Sequence, residues 1–258
     1  MALQNKKSLG QHWLKDREVL AGIADSADIQ PTDTVLEIGP GLGTLTSELL
    51  RRAEKVIAVE LDSELARKLP GQFPGKNLEV IEQNILDFDL DILPADYVVV
   101  ANVPYYITSK IIEKLMTAKN KPRTTVLLVQ KEVAERLAAT PGNMSILAVS
   151  AQIYANVTLA ELVPAKLFTP PPKVDSQVVI LTTLIKPLVL PDDERKFFRT
   201  VKAGFSAKRK KLRSSLSGGL GLSKDAVLAL LTNAHINPDL RAEDLSIDDW
   251  LKLTKLTP

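Results

Sequence analysis

The stretch TVLEIGPGLGTLTSELL, residues 34–50, decides the fold. Residues 34–38 form a short β-rich apolar run that predicts a strand, and residues 45–52 carry apolar residues at helical spacing. Between them stand Gly39, Gly41 and Gly43. Glycine lets a backbone approach a ligand closely, and the start of a helix presents free N–H groups. The stretch therefore predicts a strand, a ligand-binding turn and a helix.

Two features of this turn favour one class of ligand. Its glycines read G-x-G-x-G rather than the G-x-G-x-x-G of dinucleotide-binding folds, and Glu37 stands two residues before the first of them. A carboxylate repels pyrophosphate but suits a cationic nucleoside without phosphate, which S-adenosylmethionine is. Glu60 ends the next predicted strand, where a carboxylate can accept hydrogen bonds from two ribose hydroxyls. A plain tight turn is the alternative interpretation.

The same pattern of short strands and helices continues along the chain. Further strands are predicted at residues 56–60, 78–81, 97–101, 124–130 and 174–185, with a second helix at 110–118. This alternation indicates an α/β fold with a mostly parallel sheet. Ligands in such sheets bind at the carboxyl ends of the strands, where Gly39, Glu60, Asn84 and Asn102 all stand.

A second motif follows the apolar run at residues 97–101. Asn102, Val103, Pro104 and Tyr105 place an amide, a backbone carbonyl next to a rigid proline, and an aromatic ring at one strand end. That set is suited to holding a planar amine, such as the exocyclic amine of a nucleobase. A strand-terminating turn is the simpler alternative, because Asn and Pro are common in turns.

The composition excludes several classes of site. The 258 residues include no cysteine and only two histidines, which argues against disulfides, thiolate chemistry and a metal site. No apolar run approaches the roughly 18 to 20 residues of a membrane span, and residues 1–7 lack the apolar stretch of a signal peptide. We therefore expect a cytoplasmic protein without a membrane partner.

The C-terminal part differs in pattern and charge. The dipeptide Lys186–Pro187 marks a boundary between a domain at residues 1–186 and a smaller, all-helical domain at residues 187–258. Nine basic residues and no acidic ones lie within residues 195–213, among them Lys208, Arg209, Lys210, Lys211 and Arg213. This cluster predicts binding to RNA phosphates, and the solvated face of an amphipathic helix is the alternative.

Taken together, residues 37–43 and 102–105 resemble the paired motifs of class I methyltransferases that act on N6 of adenine. The whole chain is similar to the bacterial small-subunit (16S) ribosomal RNA adenine N6,N6-dimethyltransferase family. The other matching stretches are residues 9–14, 130–133, 168–176, 208–213 and 241–244, and the proline-rich one at 168–176 is the most distinctive.

The resemblance implies a Rossmann-like class I methyltransferase sheet, S-adenosylmethionine as cofactor, and small-subunit ribosomal RNA in an immature 30S subunit as partner of a monomeric enzyme. It implies cofactor contacts by His12, Leu14, Gly39, Gly41, Glu60, Asn84 and Asn102. It implies a role in catalysis for Asn102, Val103, Pro104 and Tyr105, and Phe168 is a candidate for a second stacking face.

Three positions depart from the family pattern. The family usually has Asn-Phe at His12–Trp13, Asp at Asn84 and Leu at Val103. Asn84 keeps an acceptor oxygen but loses a negative charge, which predicts weaker cofactor binding. Two other functions stay open on the sequence: a large-subunit adenine dimethylase of the macrolide-resistance type, and a ribosome assembly factor that no longer transfers methyl groups.

Overall fold

A computed structural model of the protein describes residues 11–258. Its contacts divide the chain into two compact units. The first contains residues up to Glu135 together with Asn156–Thr183, and the second contains Arg136–Ala155 and Leu184–Pro258. The start of the second unit's longer segment lies three residues before the predicted boundary. Residues 136–155, which were predicted to lie in the first domain, are in the second unit.

The first unit is built on a seven-stranded sheet with the order β4-β3-β2-β5-β6-β9-β7. Neighbours from β4 to β6 run parallel, and β9 runs antiparallel to β6. A separate antiparallel pair, β1 and β8, brings Leu14 opposite Phe168. The strands are β1 (Trp13–Leu14), β2 (Thr34–Ile38), β3 (Lys55–Glu60), β4 (Leu78–Glu82), β5 (Val98–Asn102), β6 (Thr124–Gln130), β7 (Ala155–Val163), β8 (Phe168–Thr169) and β9 (Ser176–Thr183).

Helices connect these strands and form the second unit. They are α1 (Arg17–Asp25), α2 (Thr44–Leu49), α3 (Ser63–Lys68), α4 (Thr108–Thr117), α5 (Lys131–Leu137), α6 (Ile146–Gln152), α7 (Pro191–Gly204), α8 (Leu212–Leu220), α9 (Lys224–Asn233) and α10 (Ile247–Leu256). The predicted mostly parallel sheet and the helical C-terminal part are confirmed. No helix in the described part of the chain combines the length and the apolar character of a membrane-spanning segment.

The central strands are buried on both faces. Val98, Val99 and Val100 of β5 are all 0% exposed, as are Val126 and Leu128 of β6. A strand covered on both sides has no polar face, so it reads as a continuous apolar run in the sequence. This packing fixes the carboxyl ends of β2, β3, β4 and β5 at one edge of the sheet.

Candidate active site

A cleft of about 970 Å³, including the solvent at its mouth, lies at the carboxyl ends of β2, β3, β4 and β5. The predicted site residues that line it are His12, Leu14, Gly39, Gly41, Glu60, Asn84, Asn102, Val103 and Pro104. Trp13, Glu37, Gln83 and Tyr106 line it as well. The convergence of four strand ends follows from the parallel order of the sheet.

The glycine turn forms one wall of the cleft. Gly39, Gly41 and Gly43 have φ of 66°, 57° and 79°, in the left-handed region that favours glycine. The Gly39 N–H donates to the carbonyl of Val59 at 2.9 Å, which ties the turn to the end of β3. A side chain at Gly41 would meet Trp13 at 3.7 Å, so the turn and the β1 strand enclose this side of the cleft.

Glu60 is held in place by backbone groups. Its carboxylate accepts hydrogen bonds from the N–H of Gly41 at 3.0 Å and of Asp62 at 2.8 Å. Burial raises the pKa of Glu60, and the two backbone donors offset part of this rise. A carboxylate has about four acceptor sites, so this one retains capacity for further donors such as ribose hydroxyls.

Glu37 is the most buried acidic side chain of the cleft, at 1% exposed. Its Oε2 atom has no hydrogen-bond partner among the described residues. Burial raises the pKa of Glu37 from its usual range to about 8; Thr46 offsets part of the effect, and the charge of Glu60 adds to it. The cleft therefore contains a buried acid, and the described residues that line it include no Lys or Arg.

Asn102 lies at the end of β5 with its amide anchored. The Nδ2 group donates to the backbone carbonyl of His12 at 3.4 Å, which leaves Oδ1 available as an acceptor. The next residue, Val103, is 2% exposed. The backbone then turns at Pro104, whose carbonyl accepts from the N–H of Ile107 at 3.2 Å. The strand end is thus a rigid turn that presents oxygen atoms beside the cleft.

The two tyrosines after Pro104 point in different directions. Tyr106 lines the cleft and is 60% exposed. The hydroxyl of Tyr105 is 2.7 Å from the Ser176 Oγ, and burial raises the pKa of Tyr105. The Tyr105 ring stacks on His12 with centroids 5.9 Å apart. Tyr105 is therefore not among the residues that line the cleft, and its predicted contact with a base stays a prediction.

His12 joins three parts of the unit. Its Nδ1 lies 2.7 Å from the carbonyl of Pro170, and since a carbonyl only accepts, Nδ1 carries the proton. Through this bond, the Tyr105 stack and the Asn102 contact, His12 connects the proline-rich stretch to the end of β5. Two residues of the matching stretch 9–14, Leu9 and Gly10, lie outside the described residues.

Asn84 lies in the cleft, whereas Phe168 lies in the hydrophobic core. Asn84 lines the cleft, and its Oδ1 accepts from the N–H of Leu86 at 3.1 Å. Phe168 is 3% exposed and belongs to the hydrophobic core that includes Leu14. The β1–β8 pairing holds it there. In this position Phe168 packs as a core aromatic, and its contact with a substrate base stays a prediction.

The basic cluster divides into two groups in the second unit. Lys211 and Arg213 lie 3.1 Å and 3.4 Å from the carboxylate of Asp239. Lys208, Arg209 and Lys210 precede them and are all exposed.

No group of three or more His, Cys, Asp or Glu suited to a metal ion occurs within residues 11–258.

Comparisons with known proteins agree with the geometry. A family model described as ribosomal RNA adenine dimethylase matches residues 2–257. The chain is 46% identical to the ribosomal RNA small subunit methyltransferase A of Dehalococcoides mccartyi strain CBDB1, over 97% of this chain and 88% of the relative. It is 42% identical to the protein of that name from Synechocystis sp. strain PCC 6803, over 100% and 98% of the two chains.

Solved structures that resemble this chain are also methyltransferases. A dimethyladenosine transferase from Plasmodium falciparum has a TM-score of 0.83 and 31% identity, covering 94% of this chain and 96% of that one. The 23S rRNA methyltransferase ErmE has a TM-score of 0.79 and 30% identity, covering 95% and 99%. The chain therefore belongs to the ribosomal RNA adenine dimethylase family.

Proposed function

We propose that this enzyme transfers methyl groups from S-adenosylmethionine to N6 of two adjacent adenosines in a stem loop near the 3′ end of small-subunit ribosomal RNA. The product is N6,N6-dimethyladenosine. The observation that carries the proposal is the position of Asn102. Its side-chain amide donates to the His12 carbonyl and lies at the end of β5, beside the acidic cleft. The curated relatives at 40–46% identity are small-subunit enzymes by name, which supports this substrate over the large subunit.

S-adenosylmethionine is the methyl donor, and the cleft residues fit it. The orphaned Oε2 of the buried Glu37 suits a cation, and the glycine turn leaves room for close approach. We assign the methionine end to Gly39 and Gly41, the ribose to Glu60 and the adenine end to Asn84, with His12 and Leu14 flanking. When bound, the cofactor supplies an electrophilic methyl group on a sulfonium sulfur.

The protein's own groups orient the nucleophile. The N6 lone pair of adenine is conjugated with the ring, so it must turn toward the methyl group before it can attack. The Asn102 Oδ1 and the Val103 carbonyl accept the two N6 hydrogens and impose that orientation, while Pro104 fixes the backbone. Catalysis then comes from positioning and electrostatics, and no general base is needed before transfer.

The substrate base must leave its stack to reach this strand end. Bases in single-stranded loops can splay out and stack on aromatic side chains. We assign the stacking surface to Tyr105 and Phe168. The Tyr105 hydroxyl pairs with Ser176, whereas Phe168 is buried in the core. Stacking by Phe168 therefore requires a rearrangement on RNA binding. Tyr106, already exposed at the cleft, needs none.

Recognition of the RNA backbone is assigned to the second unit. Lys208, Arg209 and Lys210 are exposed cations in sequence, a pattern suited to phosphates. Lys211 and Arg213 belong to the same cluster but are paired with Asp239. We further propose that the protein acts as a monomer on an immature 30S subunit in the cytoplasm, with a role in ribosome assembly.

Labelled methyl transfer tests this function. Undermethylated 30S particles are incubated with the protein and labelled S-adenosylmethionine, and the ribosomal RNA nucleosides are then identified by mass spectrometry. We expect N6,N6-dimethyladenosine, with primer-extension stops at two adjacent adenosines near the 3′ end. Stops in large-subunit RNA instead would identify the macrolide-resistance type of enzyme. No incorporation at saturating cofactor would identify an assembly factor without methyl transfer.

A further inference from the structure

The charge of the cleft raises a question that the proposed function leaves open. Glu37 is 1% exposed, and its Oε2 has no hydrogen-bond partner in the described part of the chain. A buried carboxylate without a partner is costly, because burial disfavours the charged form. Two things can relieve that cost: a proton on the carboxyl group, or a positive charge brought by a ligand.

Within residues 11–258, the side chains that line the cleft beside Glu37 include no Lys or Arg. The acidic neighbour is Glu60, at the end of β3. Asp62, which caps α3, acts on Glu60. His12, which directly precedes β1, lines the same cleft, and α2 contributes the uncharged Thr46. The charge of Glu60 makes an ionised Glu37 still more costly while the cleft lacks a cationic ligand.

We propose that Glu37 selects the ligand by charge: it is protonated when the cleft holds a neutral ligand or none, and ionised when the cleft holds a sulfonium. The proposal rests on the proposed function. The proton passes to solvent when the cationic methyl donor binds, and Glu37 regains one when the thioether product replaces it. Glu37 would thereby favour the donor over the product, which differs from it by one methyl group and one positive charge.

The pKa of Glu37 gives the pH range for a test. With that pKa near 8, about 0.9 of the proteins carry a proton on Glu37 at pH 7. Binding of the sulfonium should then release close to one proton per site. The dissociation constant for the sulfonium should fall about tenfold per pH unit between pH 6 and 7. The α-amino group of the ligand has a pKa of about 7.7 to 8.0 and stays charged in this range.

Calorimetry of the full chain tests the proposal. Titrations with S-adenosylmethionine and with S-adenosylhomocysteine are run at pH 6 to 7 in two buffers of different ionisation enthalpy, which gives the protons released. We expect near one proton for the sulfonium, almost none for the thioether, and a pH-dependent preference for the sulfonium. Equal proton release with both ligands, or none with either, would overturn the inference.

Two variants sharpen the measurement. Glu37→Gln preserves the shape of the side chain and removes its titration, so proton release and the pH-dependent preference should both disappear. This comparison also removes any contribution from His12, which both proteins keep. Glu79→Gln removes an exposed carboxylate in β4 that pairs with Lys55, and should behave as the wild type does. If Glu37→Gln released the same proton as the wild type, the inference would be wrong.

The same titrations separate this inference from the proposed function. A protein that binds the sulfonium without releasing a proton retains its function and loses only the role of Glu37. A protein that binds neither ligand contradicts the proposed function itself, and with it the inference. The wild-type titrations alone give this decision, so the result does not depend on the folding of any variant.

Discussion

Asn102 has two hydrogen-bonding groups with separate tasks. Its Nδ2 donates to the His12 carbonyl at 3.4 Å, which fixes the plane of the amide. Its Oδ1 is the acceptor that the proposed chemistry needs for one N6 hydrogen. Because we assign further cofactor contacts to the glycine turn and Glu60, loss of the Asn102 amide should affect the substrate amine more than the cofactor.

Asn102→Ala tests that difference. We expect methyl transfer to fall roughly 10²-fold or more, as when a single preorganised hydrogen-bonding group is removed from a transition state. Cofactor binding, measured by calorimetry, should weaken by less than about tenfold, the equivalent of 1.4 kcal/mol. Asn77→Ala is the control, since Asn77 also donates to a backbone carbonyl, that of Glu54, on an exposed surface. Equal losses in binding and transfer would reduce Asn102 to a cofactor ligand.

At the residue scale, the sequence predicted the positions at strand ends better than the contacts between distant segments. Glu60, Asn84 and Asn102 could be found because each follows an apolar run. Trp13 and Tyr106 were missed as cleft residues. Trp13 is positioned by the pairing of β1 with β8, over 150 residues away, which no local pattern reveals. The turn after Pro104 decides which of two adjacent tyrosines faces the cleft.

At the scale of elements, burial explains which strands were predictable. The predicted strands at 34–38 and 124–130 have the bounds of β2 and β6, which are buried almost throughout. β7 was missed. It is the last strand in the sheet order, and five of its nine residues are exposed, so its sequence ANVTLAELV has neither a continuous apolar run nor strict alternation. Edge strands of this kind lack both sequence signals.

The α7–α8 pair depends on a close approach that only glycine permits. A Cβ at Gly219 would lie 2.5 Å from the Ala203 Cα and 2.9 Å from its carbonyl oxygen, both backbone atoms. The neighbouring Gly218, also in α8, has nothing within 4 Å of the same position. Two adjacent glycines in one helix therefore differ in a single respect, the space beside them.

Alanine at each position should have opposite effects. Gly219→Ala forces the helices apart and should lower the free energy of unfolding by about 1–3 kcal/mol, the range for overpacked sites. Gly218→Ala should raise it by about 0.5–1 kcal/mol, because alanine favours the helix. Urea denaturation followed by circular dichroism measures both. Equal effects of the two substitutions would show that the helices are not packed this closely.

At the scale of the whole molecule, the chain enters the second unit twice. Residues 136–155 join it before the sheet is complete, and residues 184–258 follow after β9. The sequence predicts only one domain boundary, at Lys186–Pro187, because composition and pattern change there. The earlier segment contains α6, a short and mostly apolar helix, and nothing in its sequence distinguishes it from a crossover helix.

The basic cluster of the second unit contains cations with and without an observed ion pair to Asp239. All five cations of the cluster are exposed, and two of them, Lys211 and Arg213, share Asp239. The pair of cations lowers the pKa of Asp239, so this acid stays ionised at neutral pH and competes with any phosphate for the same partners. If the basic cluster binds RNA, replacing Lys208, Arg209 and Lys210 and replacing Asp239 should change binding in opposite directions.

The salt dependence of binding to undermethylated 30S particles measures both changes. Glutamine at positions 208, 209 and 210 should weaken binding and flatten the slope of log K against log salt, by roughly 0.7–0.9 for each phosphate that the protein no longer neutralises. Asp239→Asn releases two cations from their ion pairs, so it should strengthen binding and steepen that slope. Asp248→Asn makes the same change of charge at the start of α10, on a residue without an observed ion pair to Lys211 or Arg213, and should leave the slope as it is. A slope that none of these substitutions alters would mean that the cluster is only a solvated face, because counterion release must follow every cation that binds a phosphate.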